Sequence, residues 1–240
     1  HGYLECSGYG NALLSLWLKY GKNGYKERKD YIMKLVDMKV TEFLDVLKSD
    51  APAPGGGSVS ALSGAQGCGL FMMVADLTLG KEKYKDLEDI CLNAKKRGVA
   101  LYEELTAAVD KDTDAFNLIS AAFKMPKSTD EEKAARRQAI AEGTLVATEV
   151  PFRTMELGYE GLKLAESLVG NSNPNCASDL GVGILQLKAC IYGAWLNVKI
   201  NLPGVKDEAK AKTFAEEGHR MYEEAEEIAK KCFEEILTSL

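Results

Sequence analysis

A sustained helical pattern is the feature that most limits how this chain can fold. From Thr41 to the C-terminus, apolar residues recur every three or four positions, and no segment alternates as a β-strand does. The pattern is interrupted at Ala51–Ser58, Pro126, Gly170–Asn175 and Pro203–Gly204, where Pro and Gly disfavour a continuing helix. We therefore expect an all-α fold, a single-domain helical bundle of roughly six helices.

The interruptions also predict where the helices begin and end. Lys83–Met125 is too long for one ordinary helix, so we expect a break within it, and Pro151 predicts a kink in the helix that contains it. Thr129 and Glu132 have the spacing of a capping box. The expected helices are a short one capped by Thr41, then Val59–Leu79, Lys83–Met125, one from Thr129 to about Val169, Ala177–Leu202 and Asp207–Leu237.

Residues 1–32 differ from the rest of the chain. They are rich in Gly, Tyr, Asn and Lys, lack a sustained period, and carry five basic and three acidic residues, whereas the whole chain has a net charge of −6. Met33 opens the first patterned segment. We expect residues 1–32 to be a non-native leader and residues 33–240 to be the helical domain; a short amphipathic helix around Asn11–Tyr20 is the alternative.

Charge and composition exclude several classes of function. With 30 Lys and Arg against 36 Asp and Glu, no basic excess points to nucleic acid. No apolar run approaches the roughly 20 residues of a membrane span. Six scattered cysteines without a Cys-x-x-Cys pair, and only two histidines, argue against a disulfide framework, a metal site or a histidine triad. We expect a cytoplasmic protein whose acid–base chemistry uses carboxylates, lysine or tyrosine.

Asp112 is the candidate catalytic residue. On a helix, its neighbours are mainly apolar, including Leu105, Val109 and Phe116, whereas Asp110 and Asp114 lie on a polar face. A carboxylate in apolar surroundings loses solvation, so its pKa rises and it can act as a general acid near neutrality. The alternative is a buried aspartate whose role is structural, satisfied by lysine or backbone N–H groups.

A second unusual face lies on the helix after Asn175. Small and polar residues recur there at steps of three and four, which leaves two interpretations open: a ligand approaches this face, or a second helix packs closely against it, as at a dimer seam. The residues are Asp179, Gly183, Gln186, Cys190, Gly193, Asn197 and Asn201.

Two further segments carry groups suited to anions. Pro54, Gly55, Gly56, Gly57 and Ser58 precede a helix, where free N–H groups favour an anion, although the Lys of a phosphate-binding P-loop is missing. A flexible loop with a serine cap is the alternative. The turn at Pro126 carries a basic cluster, which is suited either to an anionic substrate tail or simply to solvent. Its members are Lys124, Lys127, Lys133, Arg136 and Arg137.

These segments, in this order, resemble one family: the cyclodeaminase domain of formimidoyltransferase-cyclodeaminase and its stand-alone bacterial relatives, including methenyl-tetrahydrofolate cyclohydrolases. The resemblance covers Met33 to near the C-terminus. The matching segments are Pro54–Val59, Val109–Asp112 with Ala115–Phe116, Lys124–Lys127, Thr129–Lys133 with Arg136, Val150–Pro151, Gly170–Asn171, Ser178–Asp179, and Gly193–Val198 with Asn201–Leu202.

The resemblance implies a helical homodimer that acts on a tetrahydrofolate derivative, with or without a polyglutamate tail. The implied reaction converts 5-formimino-tetrahydrofolate to 5,10-methenyl-tetrahydrofolate and ammonia, and the family's proton donor matches Asp112. No metal and no cofactor beyond the tetrahydrofolate substrate is implied. The alternatives are a methenyl-tetrahydrofolate cyclohydrolase that forms 10-formyl-tetrahydrofolate, and a non-catalytic folate-binding helical dimer.

The substrate-binding roles are hypotheses from the chemistry of the matched side chains. We expect Asn197 and Asn201 to hold the pterin edge, and Asp179 to contact the substrate as well. The glycine-rich loop Pro54–Ser58, with Lys124, Lys127 or Arg136, is expected to hold the glutamate tail.

Overall fold

The computed structural model describes residues 33–240, so the predictions for the segment before Met33 lie outside the described residues. The described part is all helical, as expected, and the boundary between a leader and a domain stays a prediction. Four 3₁₀ turns, at Leu35–Asp37, Glu82–Leu87, Pro174–Cys176 and Leu202–Gly204, accompany the α-helices. The α-helices are α1 (Val40–Leu47), α2 (Gly56–Asp76), α3 (Glu88–Phe123), α4 (Asp130–Leu168), α5 (Ala177–Asn201) and α6 (Glu208–Ser239).

The helix ends agree with the sequence prediction at some positions and differ at others. The capping box before α4 is confirmed, because Thr129 Oγ1 accepts from the Glu132 N–H and the Glu132 carboxylate accepts from the Thr129 N–H. Thr41 is not a cap, since α1 is preceded by Lys39 as its N-cap residue. The break expected in the third stretch lies at its start, in the 3₁₀ turn with non-helical backbone at Tyr84, and α3 then runs without interruption.

Close packing of α2 against its neighbours forms the centre of the core. Phe71 of α2, Leu105 of α3, Met155 of α4 and Leu187 of α5 are all fully buried and belong to one core cluster. Glycines allow α2 and α5 to approach closely: a Cβ on Gly67 would lie 2.8 Å from the Gly183 carbonyl oxygen. Helix packing therefore accounts for Gly183, one of the two interpretations that the sequence left open.

Helix α2 contains an apolar run that the sequence analysis did not count as near the length of a membrane span. By length and mean hydropathy alone it is long and apolar enough to cross a membrane, and it is the one such helix in residues 33–240. Of its most apolar stretch, 56% is buried inside the fold, as in the core helix of a soluble protein. The remaining surface faces outward.

Asn201 stabilises α4 at the point where Pro151 removes a helical hydrogen bond. Pro151 has no N–H, so the carbonyl of Ala147 one turn earlier lacks its usual donor. The Asn201 side chain donates to that carbonyl oxygen at 2.8 Å and joins the end of α5 to the middle of α4. The structure shows one helix through Pro151, from Asp130 to Leu168.

We predict that Asn201→Ala lowers the free energy of unfolding by about 1–3 kcal/mol, because a partly buried carbonyl loses its donor. Asn197→Ala is the matched control, since Asn197 Nδ2 donates only to Gly193 O within α5 itself. Urea denaturation of both variants checks this. Equal losses in the two would contradict the role assigned to Asn201.

Candidate active site

Asp112 caps the N-terminus of α2 from a distant part of the chain. Gly55, the N-cap residue of α2, has no side chain to accept from the first N–H groups of the helix. The Asp112 carboxylate, on α3, accepts instead from the Ser58 N–H at 2.9 Å. The Ser58 hydroxyl lies 3.2 Å from the same carboxylate oxygen and donates to the Val109 carbonyl at 2.8 Å. Asp112 and Ser58 therefore fix the start of α2 against the middle of α3.

Gly57 leaves the space that the Asp112 carboxylate occupies. A Cβ on Gly57 would overlap all three terminal atoms of the Asp112 side chain, whereas nothing lies within 4 Å of a Cβ on Gly55. The glycines also belong to the helix, since Gly56 and Gly57 form its first turn and not a loop before it. The glycine-rich segment is therefore better explained by close approach of a carboxylate than by a flexible loop.

Burial decides the direction in which the pKa of Asp112 is shifted. Loss of solvation raises the pKa of its carboxyl above the ordinary value, although the hydrogen bonds from the Ser58 side chain and backbone act in the opposite direction. No lysine or arginine is recorded as a partner of Asp112 within residues 33–240. The raised pKa favours the protonated acid closer to neutral pH, the form that a general acid requires.

The neighbouring aspartates face a different part of the molecule, as the sequence pattern predicted. Asp110 accepts from the Leu35 N–H at 2.7 Å, and Asp114 is exposed. Both line a depression of about 430 Å³ beside Lys34 and Tyr102. Asp112 does not line it, so this depression belongs to the opposite side of α3.

Asn197 lies at the edge of the Asp112 site. Its side-chain nitrogen is 3.5 Å from the position of a Cβ on Gly56, the first residue of α2. One turn earlier, Gly193 packs on Ser60, whose hydroxyl donates to the Gly56 carbonyl at 2.6 Å. The structure thus brings together Asp112, the first turn of α2 and Asn197, and Pro54 is buried just before them.

An apolar strip with two exposed aromatic rings extends from Asp112 along α3, a feature that the sequence pattern did not reveal. Phe116, Ile119 and Phe123 follow Asp112 at steps of four, three and four and so share its face. Phe116 is 42% and Phe123 56% exposed, although the sequence pattern placed Phe116 among the apolar neighbours of Asp112. Only exposure, which the sequence does not show, distinguishes this strip from a core stripe.

The basic cluster lies at the far end of this strip. Lys124 follows α3 directly and is about 18 Å from Asp112 by helical rise. Lys124 and Lys127 are exposed, whereas the Arg136 guanidinium donates to the Phe123 carbonyl and lies 5.7 Å from the Phe123 ring centroid. The basic residues therefore do not touch Asp112, and a ligand would have to be extended to reach both.

Two predicted site residues lie elsewhere in this chain. Asn201 is engaged with α4, with its amide donating to Ala147. Asp179 is in the first turn of α5, 18 residues before Asn197 and therefore about 27 Å from it along the helix. Among the described residues, no cluster of three or more His, Cys, Asp or Glu suited to a metal ion is found.

Comparison with known proteins identifies the family. The family profile described as Formiminotransferase-cyclodeaminase matches residues 39–220, which is most of the chain. The chain belongs to this family. Its membership confirms the resemblance seen in the sequence.

Individual relatives in the family carry two different enzyme names. The methenyltetrahydrofolate cyclohydrolase of Methylorubrum extorquens is 38% identical over 82% of this chain and 95% of that protein. The formimidoyltransferase-cyclodeaminase of Gallus gallus is 35% identical over 80% of this chain, which spans only 36% of that protein. The crystal structure of a formiminotetrahydrofolate cyclodeaminase from Thermotoga maritima matches with a TM-score of 0.69 and 27% identity, over 85% of this chain and 96% of that one.

We predict that Gly57→Ala in this cyclodeaminase-family chain displaces the Asp112 carboxylate, with a loss of about 1–3 kcal/mol in the free energy of unfolding and a loss of turnover. Gly55→Ala is the control, because its added methyl group meets open space. Thermal denaturation and absorbance assays of folate turnover measure the two effects. Equal behaviour of the two variants would show that close approach at Gly57 is unimportant.

Proposed function

We propose that this enzyme closes the one-carbon bridge of 5-formimino-tetrahydrofolate to give 5,10-methenyl-tetrahydrofolate and ammonia, with Asp112 as the proton donor. The observation that carries the proposal is the Asp112 carboxyl itself, half-buried, held by Ser58 at the start of α2, and with a pKa raised by burial. Family membership supports the choice of a folate substrate, and the relatives' names supply this reaction and its alternative.

The distribution of groups along α3 supports an extended folate. The pterin ring would lie against Asn197 and the first turn of α2, next to Asp112. The exposed rings of Phe116 and Phe123 offer an apolar surface for the benzoyl ring. Lys124, Lys127 and Arg136 then lie where the glutamate tail would end, and charge-assisted hydrogen bonds would hold its carboxylates.

The proposed reaction needs one proton donor, for the nitrogen that leaves as ammonia. N10 of the substrate attacks the formimino carbon, the N10 proton moves to the imino nitrogen, and a tetrahedral carbon results. The protonated Asp112 carboxyl gives its proton to that amino nitrogen, the carbon–nitrogen bond breaks, and ammonia leaves. The ionised Asp112 carboxylate then faces the methenyl cation, whose positive charge it stabilises.

Methenyl-tetrahydrofolate cyclohydrolase activity is the second candidate, favoured by the match over nearly the full length of the Methylorubrum extorquens enzyme. In that reaction, water adds to the bridging carbon and the bond from that carbon to N5 breaks, which gives 10-formyl-tetrahydrofolate. Ionised Asp112 would take one proton from the water and return it to N5, and the remaining hydroxyl proton is released to solvent as the carbon–N5 bond breaks and the formyl group forms. The same carboxyl serves both reactions, in opposite starting protonation states.

We further propose that the enzyme acts in the cytoplasm as a homodimer. Four large apolar side chains of α5 are exposed in the single chain, which supports an association through that helix.

A paired absorbance assay tests the proposed reaction. With 5-formimino-tetrahydrofolate, we expect the near-ultraviolet absorbance of methenyl-tetrahydrofolate to appear together with an equal amount of ammonia. With methenyl-tetrahydrofolate as substrate, loss of absorbance above the spontaneous rate reports the cyclohydrolase. If only the second arm responds, the cyclohydrolase replaces our proposal, and if folate binds without either reaction, a non-catalytic binding protein does.

Two substitutions at Asp112 separate its chemical role from its structural role. Asp112→Asn keeps an oxygen that accepts from Ser58 but has no acidic proton, so we predict a roughly 10²–10⁴-fold loss of kcat with little change in stability. Asp112→Ala also removes the acceptor at the start of α2, so it is expected to lose about 1 kcal/mol of stability in addition.

Steady-state kinetics, urea denaturation and direct folate binding are measured on both variants. Turnover of Asp112→Asn close to that of the unaltered enzyme would mean that the carboxyl is only a helix cap.

A further inference from the structure

The two carboxylate oxygens of Asp112 have different surroundings. Oδ2 accepts from the Ser58 N–H at 2.9 Å and lies 3.2 Å from the Ser58 hydroxyl oxygen. Among residues 33–240, Oδ1 has no hydrogen bond, and it is not one of the buried side-chain atoms that lack a partner. Oδ1 is therefore the oxygen that can be reached from outside the fold.

This difference determines which oxygen carries the proton of the neutral acid. A protonated carboxyl has one carbonyl oxygen, which accepts, and one hydroxyl oxygen, which donates. The oxygen that receives the Ser58 N–H acts as the carbonyl oxygen, so the proton is on Oδ1. Gly57 leaves Oδ1 uncovered, because a Cβ at that position would overlap Oδ1 most of all.

The Ser58 hydroxyl has one hydrogen and two acceptors within reach. Its oxygen lies 2.8 Å from the Val109 carbonyl oxygen and 3.2 Å from Asp112 Oδ2. The shorter distance is ordinary for a hydroxyl donor and the longer one is not, so the hydroxyl donates to Val109 in the arrangement that the structure shows. Ser58 is fully buried, so solvent does not compete for this hydrogen.

Turning this hydroxyl from Val109 to Asp112 leaves no carbonyl without a donor. Val109 lies inside α3, where its carbonyl also accepts from the N–H four residues later, that of Thr113. An ionised carboxylate attracts an O–H donor more strongly than a backbone carbonyl does. Ionisation of Asp112 therefore favours a change of acceptor by the Ser58 hydroxyl.

The charged side chains on the elements around Asp112 are paired, exposed to solvent or on the opposite side of α3. Helix α2 has no charged residue between Asp50 and Asp76, and α5 has none between Lys188 and Lys199. Burial and the two Ser58 bonds account for the shift in the pKa of Asp112, so the ionised carboxylate depends on Ser58 for stabilisation. The other charged side chains are Lys34, Asp110, Lys111 and Asp114, which line the depression, Asp37, which is exposed, Glu42 and Asp45, which pair with Lys39 and Lys48, Glu149, which pairs with Lys210, and Glu142, which accepts from Gln138.

We propose that Ser58 is a positioning residue for proton transfer by Asp112: its N–H holds Oδ2, Oδ1 delivers the proton, and its hydroxyl turns from the Val109 carbonyl to Oδ2 once the carboxylate is ionised. The Ser58 hydroxyl keeps its own hydrogen and only changes acceptor. The donated proton leaves Oδ1 for the substrate nitrogen, and the negative charge that remains is stabilised at Oδ2. The part of this role that concerns turnover rests on the proposed folate function.

Carbon-13 NMR of the Asp112 carboxyl and the Val109 carbonyl tests the change of acceptor without any folate. In the wild type, we expect the two signals to titrate together. Ser58→Ala keeps the N–H and loses only the hydroxyl, so the pKa of Asp112 should rise by about 1–2 pH units and the Val109 signal should lose most of its response. A Val109 signal that stays constant while wild-type Asp112 titrates would overturn the proposal, and that measurement needs no substituted protein.

Ser60→Ala is the matched control. The Ser60 hydroxyl is also buried near the start of α2 and donates to a helix carbonyl, that of Gly56, but it makes no hydrogen bond to Asp112. We expect Ser60→Ala to leave the pKa of Asp112 unchanged. An equal rise in the two variants, or no rise in Ser58→Ala, would mean that the Ser58 hydroxyl only anchors the helix, and would overturn the proposal.

Profiles of kcat/KM against pH connect this role to turnover, since they report groups of the free enzyme. Release of ammonia from the formimino substrate uses the acid and should fall above the pKa of Asp112, whereas the cyclohydrolase uses the carboxylate and should fall below it. In Ser58→Ala, either limit should move to higher pH by the same amount as the pKa measured by NMR. For ammonia release, kcat should also fall roughly 3- to 10-fold, because a weaker acid gives up its proton more slowly.

The two sets of measurements separate the role of Ser58 from the proposed function. A Ser58→Ala profile that does not move with the pKa measured by NMR would overturn the role in proton transfer. A wild type that shows neither folate reaction but keeps the linked titration of Asp112 and Val109 would refute only the proposed function.

Discussion

The hydrogen bond from the Ser58 N–H to the Asp112 carboxylate is the interaction on which the rest of the site depends. It joins residues 54 positions apart and supplies the cap that Gly55 cannot give to α2. A helix N-terminus favours a charged carboxylate, whereas burial disfavours it, and here burial prevails in raising the pKa. One carboxyl thus serves both the fold and the proposed chemistry, because the same burial that fixes its position makes its proton available.

The site around Asp112 has a tightly packed part and an exposed part. Tight packing of α2 between α3 and α5 fixes the first turn of α2, Asp112 and Asn197 relative to one another, and the amide of Asn201 secures the end of α5 to α4. The strip beyond Phe116 is exposed and leads to a basic turn. A rigid end suits bond making and breaking, whereas an open end tolerates tails of different length.

Local rules predicted much of this arrangement from the sequence. The helical period indicated the all-α class, Thr129 and Glu132 marked the start of α4, and the apolar neighbours of Asp112 distinguished it from Asp110 and Asp114. Contacts between distant segments were beyond such rules. Nothing local indicates that Asp112 caps α2, or that Asn201 replaces the donor lost at Pro151. The sequence pattern placed Asp179 on the same face of α5 as Asn197, but a repeating face does not tell which end of the helix meets the site.

The protonation state of Asp112 decides the proposed mechanism, and it is most directly measured by carbon-13 NMR of the side-chain carboxyl, assigned by its absence in Asp112→Asn. We predict a pKa above the ordinary value of about 3.9 for aspartate in a peptide, shifting further upward if a ligand excludes more water. A pKa at or below that value would mean that Ser58 and the helix N-terminus outweigh burial. Asp112 would then be an ionised cap at neutral pH and not the source of the proton.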